Sequence, residues 1–400
     1  MASTATDLRQ WIDGLPGPGW LADARREAAD LDAQTGLPHW DRTDISTLDL
    51  SRFILPAGGT VAVSAPPEAK ARGVICGTIA TLAESEPELV RRYLGLLVSA
   101  DAGKFEARNA AAHQGCLVYV PEGVTLAEPI EITYRLTSDG AAQFHPRTVI
   151  GLGRAAEVTI LQRQEGGPAS GAGAALVTSV VEADVADGAR LNFVELQNWG
   201  TAVQNFTTRR GELGRDAGVK WLVGELGAGL SRSGTTTVLR GIGGEALSLL
   251  VFFATGTQHM DLLATLIHHG ARTNGLMLAN GVLSGASRAI YRGTSDIKRG
   301  AKGSNSQQKE KSLHLTAGVR SDAIPALYID ENELQAGHAA TTGKVDPEQL
   351  FYLRSRGLPQ REAERLIVQG FFEPLINQIP LEGARQALAA LVDEKIGPGA

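Results

Sequence analysis

The chain has 400 residues and a net charge of −6, and 43% of its residues are hydrophobic and 20% charged. This composition is typical of a folded globular protein, and the negative charge argues against nucleic acid or an anionic membrane as a partner. No apolar run approaches the ~20 residues that span a bilayer, and the polar N-terminus lacks the apolar segment of a secretory signal. Two cysteines, Cys76 and Cys116, are too few for a disulfide framework, so we expect a cytoplasmic protein.

Residues 1–98 are predicted to form a mostly helical domain. Leu21–Ala33 is rich in good helix formers and is followed by stop signals at Gly36 and Pro38. Glu84–Val98 is predicted as a second helix, because its apolar side chains recur at helical spacing. Residues 54–79 contain short apolar runs between glycines and prolines, and we expect them to contribute one or two strands.

A long series of apolar runs of strand length follows, most of them bounded by Gly, Asp or Asn, with no helix-length pattern between them. This order argues against a doubly wound α/β sheet. The predicted strands are Cys116–Val120, Ile130–Tyr134, Thr148–Gly151, Val158–Leu161, Leu176–Val185, Leu191–Leu196, Val219–Leu226, Leu247–Phe253 and Leu262–His268.

Glycine and proline are distributed in a way that favours stacked coils. The chain has 47 glycines and 17 prolines, yet no proline lies between Pro168 and Pro325. Proline cannot donate to a hydrogen-bond ladder, so its absence suits a long sheet. Gly-Ala pairs recur at an interval of 15, beginning at Gly270, Gly285 and Gly300. We therefore predict a β-solenoid core over residues 99–340, with a β-sandwich as the alternative.

Residues 341–400 are predicted to form a C-terminal helical domain of three helices. Asp346 followed by Pro347 is a strong helix start, since aspartate caps and proline suits the first helical position. Gly357 ends that helix. The second helix is predicted from about Pro359 to Phe372, and the third over residues 381–394.

Motifs for catalysis are scarce. The sequence contains no P-loop, no G-x-S-x-G, no H-E-x-x-H and no C-x-x-C, and its eight histidines form no spaced zinc pair. Carbohydrate-active β-helix enzymes need grouped carboxylates and usually aromatic platforms. Residues 260–320 hold only Asp261, Asp296 and Glu310 as acids and Tyr291 as an aromatic. We therefore expect no catalytic residues, and a carbohydrate-active enzyme is the weaker alternative.

Three motifs resemble the SufB/SufD family of iron–sulfur cluster assembly proteins. They are G-x-x-x-G-x-S-x-x-x-Y-R-G from Gly281 to Gly293, G-H-A-A-T-T-G from Gly337 to Gly343, and D-x-E-Q-L-F-Y-L-x-S-R-G from Asp346 to Gly357. Residues 104–132 and 144–153 also look like this family, so the resemblance covers about residues 85–375.

The resemblance implies a right-handed parallel β-helix core between helical N- and C-terminal domains. It also implies a non-enzymatic scaffold subunit that pairs with its SufB or SufD counterpart through the β-helix. The C-terminal helices are implied to dock SufC, an ATPase of the ABC type. In this family a nascent iron–sulfur cluster forms at the subunit interface, and reduced flavin is associated with the complex. We expect neither group to be held firmly by the isolated chain.

Within the family, the chain resembles the SufD branch. SufB carries a cysteine in the region that matches Gln307–Lys311, and this chain has none there. SufB also has a glutamate directly after the histidine of the H-x-A-T-T element, where this chain has Ala339. The resemblance makes His338 a candidate cluster ligand at the SufB interface. Ala336 stands where some SufD proteins have a cysteine. A SufB-like scaffold that holds its own cluster is the alternative.

The resemblance also points to partner-binding residues on the C-terminal helices. The candidates for SufC contact are Leu350, Phe351, Arg354, Phe371 and Phe372. Leu350 is expected to pack the helices together, whereas Arg354 on the polar side is expected to contact the partner. A β-helix edge that normally pairs with another subunit has unpaired strands in the isolated chain. We therefore predict that the isolated chain forms a homodimer through this edge.

Overall fold

The computed structural model describes residues 8–9, 11–53, 58–138, 140–169 and 173–397. The chain is 44% strand and forms a parallel β-solenoid of about eight turns with helices at both termini. This arrangement confirms the predicted fold class, and the parallel pairing excludes the β-sandwich. No helix among the residues described is both long and apolar enough to cross a membrane.

The N-terminal helices differ from the prediction at one point. The helix predicted at Leu21–Ala33 is α1, but Glu84–Val98 is not one helix: α3 ends at Ser85 and α4 begins at Pro87. Proline disfavours helical geometry in the residue before it, and Glu86 accordingly has φ −134° and ψ 55°. The helices are α1 (Gly19–Gln34), α2 (Pro67–Ala71), α3 (Ile79–Ser85), α4 (Pro87–Tyr93), α5 (Lys104–Ala112), α6 (Pro347–Ser355), α7 (Gln360–Ile376) and α8 (Glu382–Ile396).

The strands make up the body of the molecule. They are β1 (Gly59–Ser64), β2 (Ile75–Thr78), β3 (Gln114–Val120), β4 (Ile130–Leu136), β5 (Ala142–Phe144), β6 (Pro146–Leu152), β7 (Glu157–Gly166), β8 (Ala175–Val185), β9 (Arg190–Trp199), β10 (Val203–Leu213), β11 (Gly218–Glu225), β12 (Leu230–Leu239), β13 (Glu245–Ala254), β14 (His259–His268), β15 (Asn274–Leu283), β16 (Arg288–Ile297), β17 (Ser304–His314), β18 (Arg320–Ile329) and β19 (Leu334–Lys344). Two strands, β1 and β2, come from the region predicted as the N-terminal domain, as expected for residues 54–79.

Successive strands alternate between two sheets, so each turn of the solenoid contributes one strand to each. One sheet has the order β1-β4-β7-β9-β11-β13-β15-β17-β19, and the other β18-β16-β14-β12-β10-β8-β6-β3-β2, with β5 paired to β8. Of the strand pairs in the described ranges, only β1–β4 and β2–β3 are antiparallel. His259 of β14 pairs with Arg288 of β16, an offset of 29 residues for one turn. The 15-residue glycine interval is therefore half a turn, the distance from one bend to the next.

The space between the two sheets, called the lumen below, is filled by every second side chain of each strand. Its apolar part runs through most of the turns and contains aromatic pairs such as Phe193 and Trp221, with ring centroids 5.2 Å apart. At the N-terminal end, α2 lies between β1 and β2, and its Ala69 is buried in the same core. That end of the lumen is thereby closed by the chain itself.

The C-terminal helices pack on the outer face of the nine-stranded sheet. Phe372 of α7 and Leu388 of α8 are buried there in one cluster with Leu249 and Phe253 of β13. Lys395 fixes the end of α8, since its Nζ donates to Phe253 O at 3.0 Å and to Gln258 Oε1 at 2.6 Å. The cap predicted at Asp346 is confirmed: its carboxylate accepts from the Glu348 N–H at 2.9 Å.

Candidate functional site

The last turn of the solenoid, β18 and β19, is named the terminal coil here. These strands are the edges of their respective sheets, and no further turn covers them. In earlier turns every second residue of a strand faces the lumen and is buried. The corresponding residues of β18 and β19 are half or fully exposed. Pro325 lies within β18, which fits an edge strand because proline has no N–H to donate. The lumen is therefore open at this end.

The lumen becomes polar as it approaches the terminal coil. Gln308 of β17 donates through Nε2 to Ser295 Oγ at 2.9 Å, and Ser295 shares a hydrogen bond of 2.8 Å with Ser306. Gln308 Oε1 is buried and has no hydrogen-bond partner within the described part of the chain. Deeply buried polar atoms are normally satisfied, so this acceptor is free to accept a hydrogen bond from a further donor.

Glu310 is the acidic group of this polar lumen. It faces inward with Gln308 and Ser312, and Ser312 Oγ donates to Glu310 Oε1 at 3.2 Å. No Lys or Arg forms an ion pair with Glu310 in the described ranges, and burial raises the pKa of its carboxyl to about 7. Glu310 can therefore gain or lose a proton near neutral pH.

His338 lies on β19, the strand paired with the one that carries Glu310. Its Cα is the register partner of Gln308, and Ala340 is the partner of Glu310. Partners in a parallel pair point to the same side of the sheet, so the imidazole of His338 faces the open lumen. His338 is exposed. An accessible histidine and a buried carboxyl of near-neutral pKa thus lie on adjacent strands and face the same lumen.

The register also separates two residues that the sequence could not distinguish. Lys309 and Glu310 both lie in the region that matches the cysteine-bearing segment of SufB. Lys309 is exposed on the outer face, whereas Glu310 is 6% exposed in the lumen. Ala336 has the same facing as His338, because it lies two residues earlier on the strand. The described residues contain no group of three or more His, Cys, Asp or Glu side chains able to hold a metal ion.

The predicted partner-binding residues fall into two groups. Phe351 is 74% exposed on α6, and Arg354 on the same helix is also exposed. Leu350 is half-buried. Phe372 is fully buried, with its ring centroid 6.4 Å from that of Phe253 in β13, and Phe371 is half-buried beside it. The structure therefore gives Phe372 an internal packing role and leaves Phe351 and Arg354 accessible.

α6 begins just after the terminal coil, because only Val345 and Asp346 separate it from β19. Tyr352, next to Phe351, is also 57% exposed. Sequence reasoning did not single out Tyr352. The sequence signal that could have found it is the pair of consecutive aromatic residues on a helix with a clear start. One buried side of a helix cannot take both side chains, so at least one of them is expected to be exposed.

Comparison with known proteins identifies the family. The family model described as "SUF system FeS cluster assembly, SufBD core domain" matches residues 134–371, and that of the "SufBD protein N-terminal region" matches residues 22–132. The iron–sulfur cluster assembly protein SufD of Bacillus subtilis is 32% identical over 358 residues, covering 88% of this chain and 81% of that protein. An iron–sulfur cluster assembly SufBD family protein of Staphylococcus epidermidis is 30% identical over 410 residues, covering 92% and 87%. The core match alone spans more than half of the sequence, and the chain belongs to the SufBD family of iron–sulfur cluster assembly proteins.

Proposed function

We propose that this chain is a SufD-like, non-catalytic scaffold subunit of an iron–sulfur cluster assembly complex in the cytoplasm. It pairs with a SufB-type relative through the terminal coil and docks a SufC-type ATPase through its C-terminal helices. The observation that carries the proposal is the uncovered terminal coil, which leaves two sheet edges and the lumen open at one end of the molecule. The two cysteines are unpaired, which suits a reducing compartment.

Exposed sheet edges need a partner or a protective device. The terminal coil also exposes apolar side chains on both of its faces: Ile329 is 47% exposed on the lumen side and Tyr328 is 61% exposed on the outer side. A second protein with the same fold would end in the same kind of coil. Its edge strands would continue both sheets and cover these side chains, as strand addition does elsewhere.

The pairing is tested by co-purifying the chain with the SufB-type and SufC-type proteins of the same organism. Ile329→Lys places a charge at the open lumen and is expected to abolish pairing. Ile242→Lys is the matched control, because Ile242 is 45% exposed outside the terminal coil. Equal recovery of the SufB-type protein with both variants would contradict the proposed interface.

We propose that His338 contributes to holding the nascent cluster, which is the product being built and not a resident group. Neutral imidazole is an established iron ligand. Glu310, with its near-neutral pKa, is placed to take up or release protons as ligands exchange. The described residues offer too few ligands for a complete site, so the remaining ligands would come from the partner.

The role of His338 is tested by anaerobic reconstitution of the complex, with iron and sulfide measured per complex. His338→Ala is expected to lower both contents while the subunits still co-purify. His269→Ala is the control, since His269 is also exposed but lies at the turn after β14. Full iron and sulfide contents with His338→Ala would assign His338 a structural role only. A cluster kept by the isolated chain would support the SufB-like alternative.

We propose that the exposed side of α6 contacts the ATPase. Phe351 and Tyr352 supply apolar contact area, and Arg354 supplies a charge at the end of the helix. Arg354→Glu is expected to weaken ATPase binding at least about tenfold, as charge reversal at an interface commonly does. Arg52→Glu, at an exposed position of the N-terminal region, should bind like the wild type. A pull-down in which both variants bind equally would rule out Arg354 as a contact.

We further propose that reduced flavin acts on the assembled complex and is not resident in this chain. The support for this proposal is the family resemblance. Flavin content, measured by absorbance, is expected in the anaerobically purified complex and not in the isolated chain. Flavin that stays with the isolated chain through gel filtration would contradict it.

A further inference from the structure

The N-terminal region contains a cavity of about 530 Å³ that is separate from the terminal coil. It lies between α1, the segment that follows α4, and the end of α5. One wall is apolar and is formed by Trp20, Leu21 and Leu94. The lining also includes basic and imidazole groups, among them Arg25 and His113. The volume is within the ~300–1,000 Å³ range of small-molecule sites.

Arg25 has an unusual environment for a buried cation. The residue is 3% exposed, and among the described residues its side chain has one hydrogen bond, from Nη1 to the carbonyl of Pro16 at 2.9 Å. Its Nε is buried without a partner, and no carboxylate of the described residues forms an ion pair with it. Burial lowers the pKa of Arg25 to about 10, so the guanidinium remains charged at neutral pH. Buried charges are normally paired, so this cation lacks a counter-ion.

His113 provides a second unsatisfied group on the same cavity. The residue is 3% exposed, and Nδ1 has no hydrogen-bond partner among the residues placed in the structure. Burial, together with the charges of Arg25 and Arg147, lowers the pKa of His113, so the ring is neutral and donates from one nitrogen. Arg147 is already engaged, with Nη2 bonded to Glu182 Oε1 at 2.5 Å.

The other charged residues that line the cavity do not neutralise its buried cation. Arg91 stacks on Trp20, with Cζ 4.0 Å from the ring centroid, and no carboxylate of the described chain forms an ion pair with it. Two acidic residues also line the cavity, but both are exposed. One of them, Asp23, accepts from Arg26 Nη1 at 2.7 Å, and the other is Glu27.

We propose that this cavity binds a phosphate group, held by the Arg25 guanidinium and the His113 ring. Guanidinium groups bind phosphate oxygens through charge-assisted hydrogen bonds. The phosphate has two possible sources, the free ion or a phosphate ester whose organic part lies against the apolar wall. The volume of the cavity exceeds that of the ion alone, which leaves room for an ester.

The test is calorimetric titration of the full chain with inorganic phosphate, AMP and adenosine, in a buffer without other oxyanions. Phosphate and AMP are expected to bind, and adenosine is not. Tighter binding of AMP than of phosphate would identify an ester as the ligand, and equal binding would identify the free ion. Binding of adenosine as tight as that of AMP, or the absence of phosphate binding up to about 10 mM, would overturn the proposal.

Two variants locate the site. Arg25→Met is expected to weaken phosphate binding at least about tenfold, because it removes the buried charge. Arg26→Met removes the same charge from the exposed side of α1, where Arg26 pairs with Asp13 and Asp23, and is expected to leave the affinity unchanged. Equal affinity in both variants would overturn the assignment.

The stability of the ligand-free variants gives an independent readout. An arginine whose role is structural would lower the melting temperature when replaced. A buried arginine that awaits an anion should not, so Arg25→Met is expected to melt no lower than the wild type and to lose the phosphate-induced rise in melting temperature. Should Arg25→Met fail to fold, His113→Leu replaces it, and undiminished phosphate binding by that variant would refute the site.

Discussion

At the scale of single residues, the lumen contains a charged cluster in its middle turns. Arg209 is bonded to Glu195 and Glu225, and all three side chains are at most 1% exposed. Arg209 Nη1 also donates to Ser233 Oγ at 2.7 Å. The cation and its two carboxylates lie on three different strands. The cluster therefore fixes the register between the sheets as well as neutralising charge.

Replacing Arg209 by methionine is expected to destabilise the chain by about 3–5 kcal/mol, because two carboxylates are left in the lumen without a counter-ion. Burial already raises the pKa of Glu225. In the variant, the folded state therefore holds protons that the unfolded state releases, and stability falls as pH rises. Urea unfolding at pH 5 and pH 8 should show a larger loss at pH 8. Arg190→Met, which breaks the exposed pair with Glu245, should cost under about 1 kcal/mol.

Gly281, the first residue of a family motif, lies where the lumen is most crowded. A Cβ at this position would approach Cζ of Phe252, its register neighbour on β13, to 1.9 Å. Gly281→Ala is therefore expected to cost about 1–3 kcal/mol through displacement of the ring. Gly343→Ala on β19 is the control, since a Cβ there meets nothing within 4 Å. Equal melting temperatures for the two variants would contradict this explanation of the glycine.

Glu310 makes a separate pH-dependent prediction. Its carboxyl has a folded pKa of about 7, above the ordinary value near 4.3. Between those values the folded state binds more protons than the unfolded state, so this group lowers stability as pH rises and its penalty is complete above pH 7. The stability of Glu310→Gln relative to the wild type should rise by about 2–3 kcal/mol between pH 5 and pH 8. The same difference at both pH values would show that titration of Glu310 is not the cause.

At the scale of elements, the sequence predicted several strands whose inward side chains are mostly apolar and missed others whose inward side chains are polar. β8 and β13 were predicted from sequence, whereas β12 and β17 were not. The inward positions of β17 are Ser306, Gln308, Glu310 and Ser312, which resemble a solvent-exposed loop when read locally. These strands are stabilised by pairing with strands of the preceding and following turns. Those partners are distant in sequence, so a local sequence pattern does not indicate them. His338 was recognised through its motif, but its proximity to Glu310 depends on strand register.

Phe372 is buried and Phe351 is exposed, so alanine substitutions at the two positions should affect stability differently. Phe372→Ala opens a cavity against β13 and is expected to cost about 3–5 kcal/mol, with faster amide exchange in α7 and α8. Phe351→Ala should change stability by less than about 0.5 kcal/mol, because the side chain is 74% exposed. Thermal unfolding and hydrogen exchange distinguish the outcomes. A large loss for Phe351→Ala would place that residue in the core and remove it from the proposed partner surface.

At the scale of the whole molecule, the terminal coil predicts self-association. In the absence of its counterpart, the isolated chain is expected to form a homodimer through β18 and β19. Light scattering at ~10 μM should give twice the mass of 42.2 kDa, because a dimer with micromolar affinity is well populated at that concentration. Ile329→Lys should give the monomer mass and Ile242→Lys the dimer mass. A wild-type chain that remains monomeric would contradict the prediction.

The closed N-terminal end of the lumen limits what such association can build. There, β1 and β2 run antiparallel to their neighbours and α2 lies across the core, so that end offers no copy of the surface that the terminal coil presents. Head-to-tail stacking, which turns repetitive β-structures into fibres, needs two complementary ends on each molecule. The antiparallel edge strands and α2 at one end of this molecule therefore differ from the open terminal coil at the other. Association through the terminal coil is therefore expected to stop at a pair, and the proposed SufB-type counterpart and a second copy of the chain would compete for the same place.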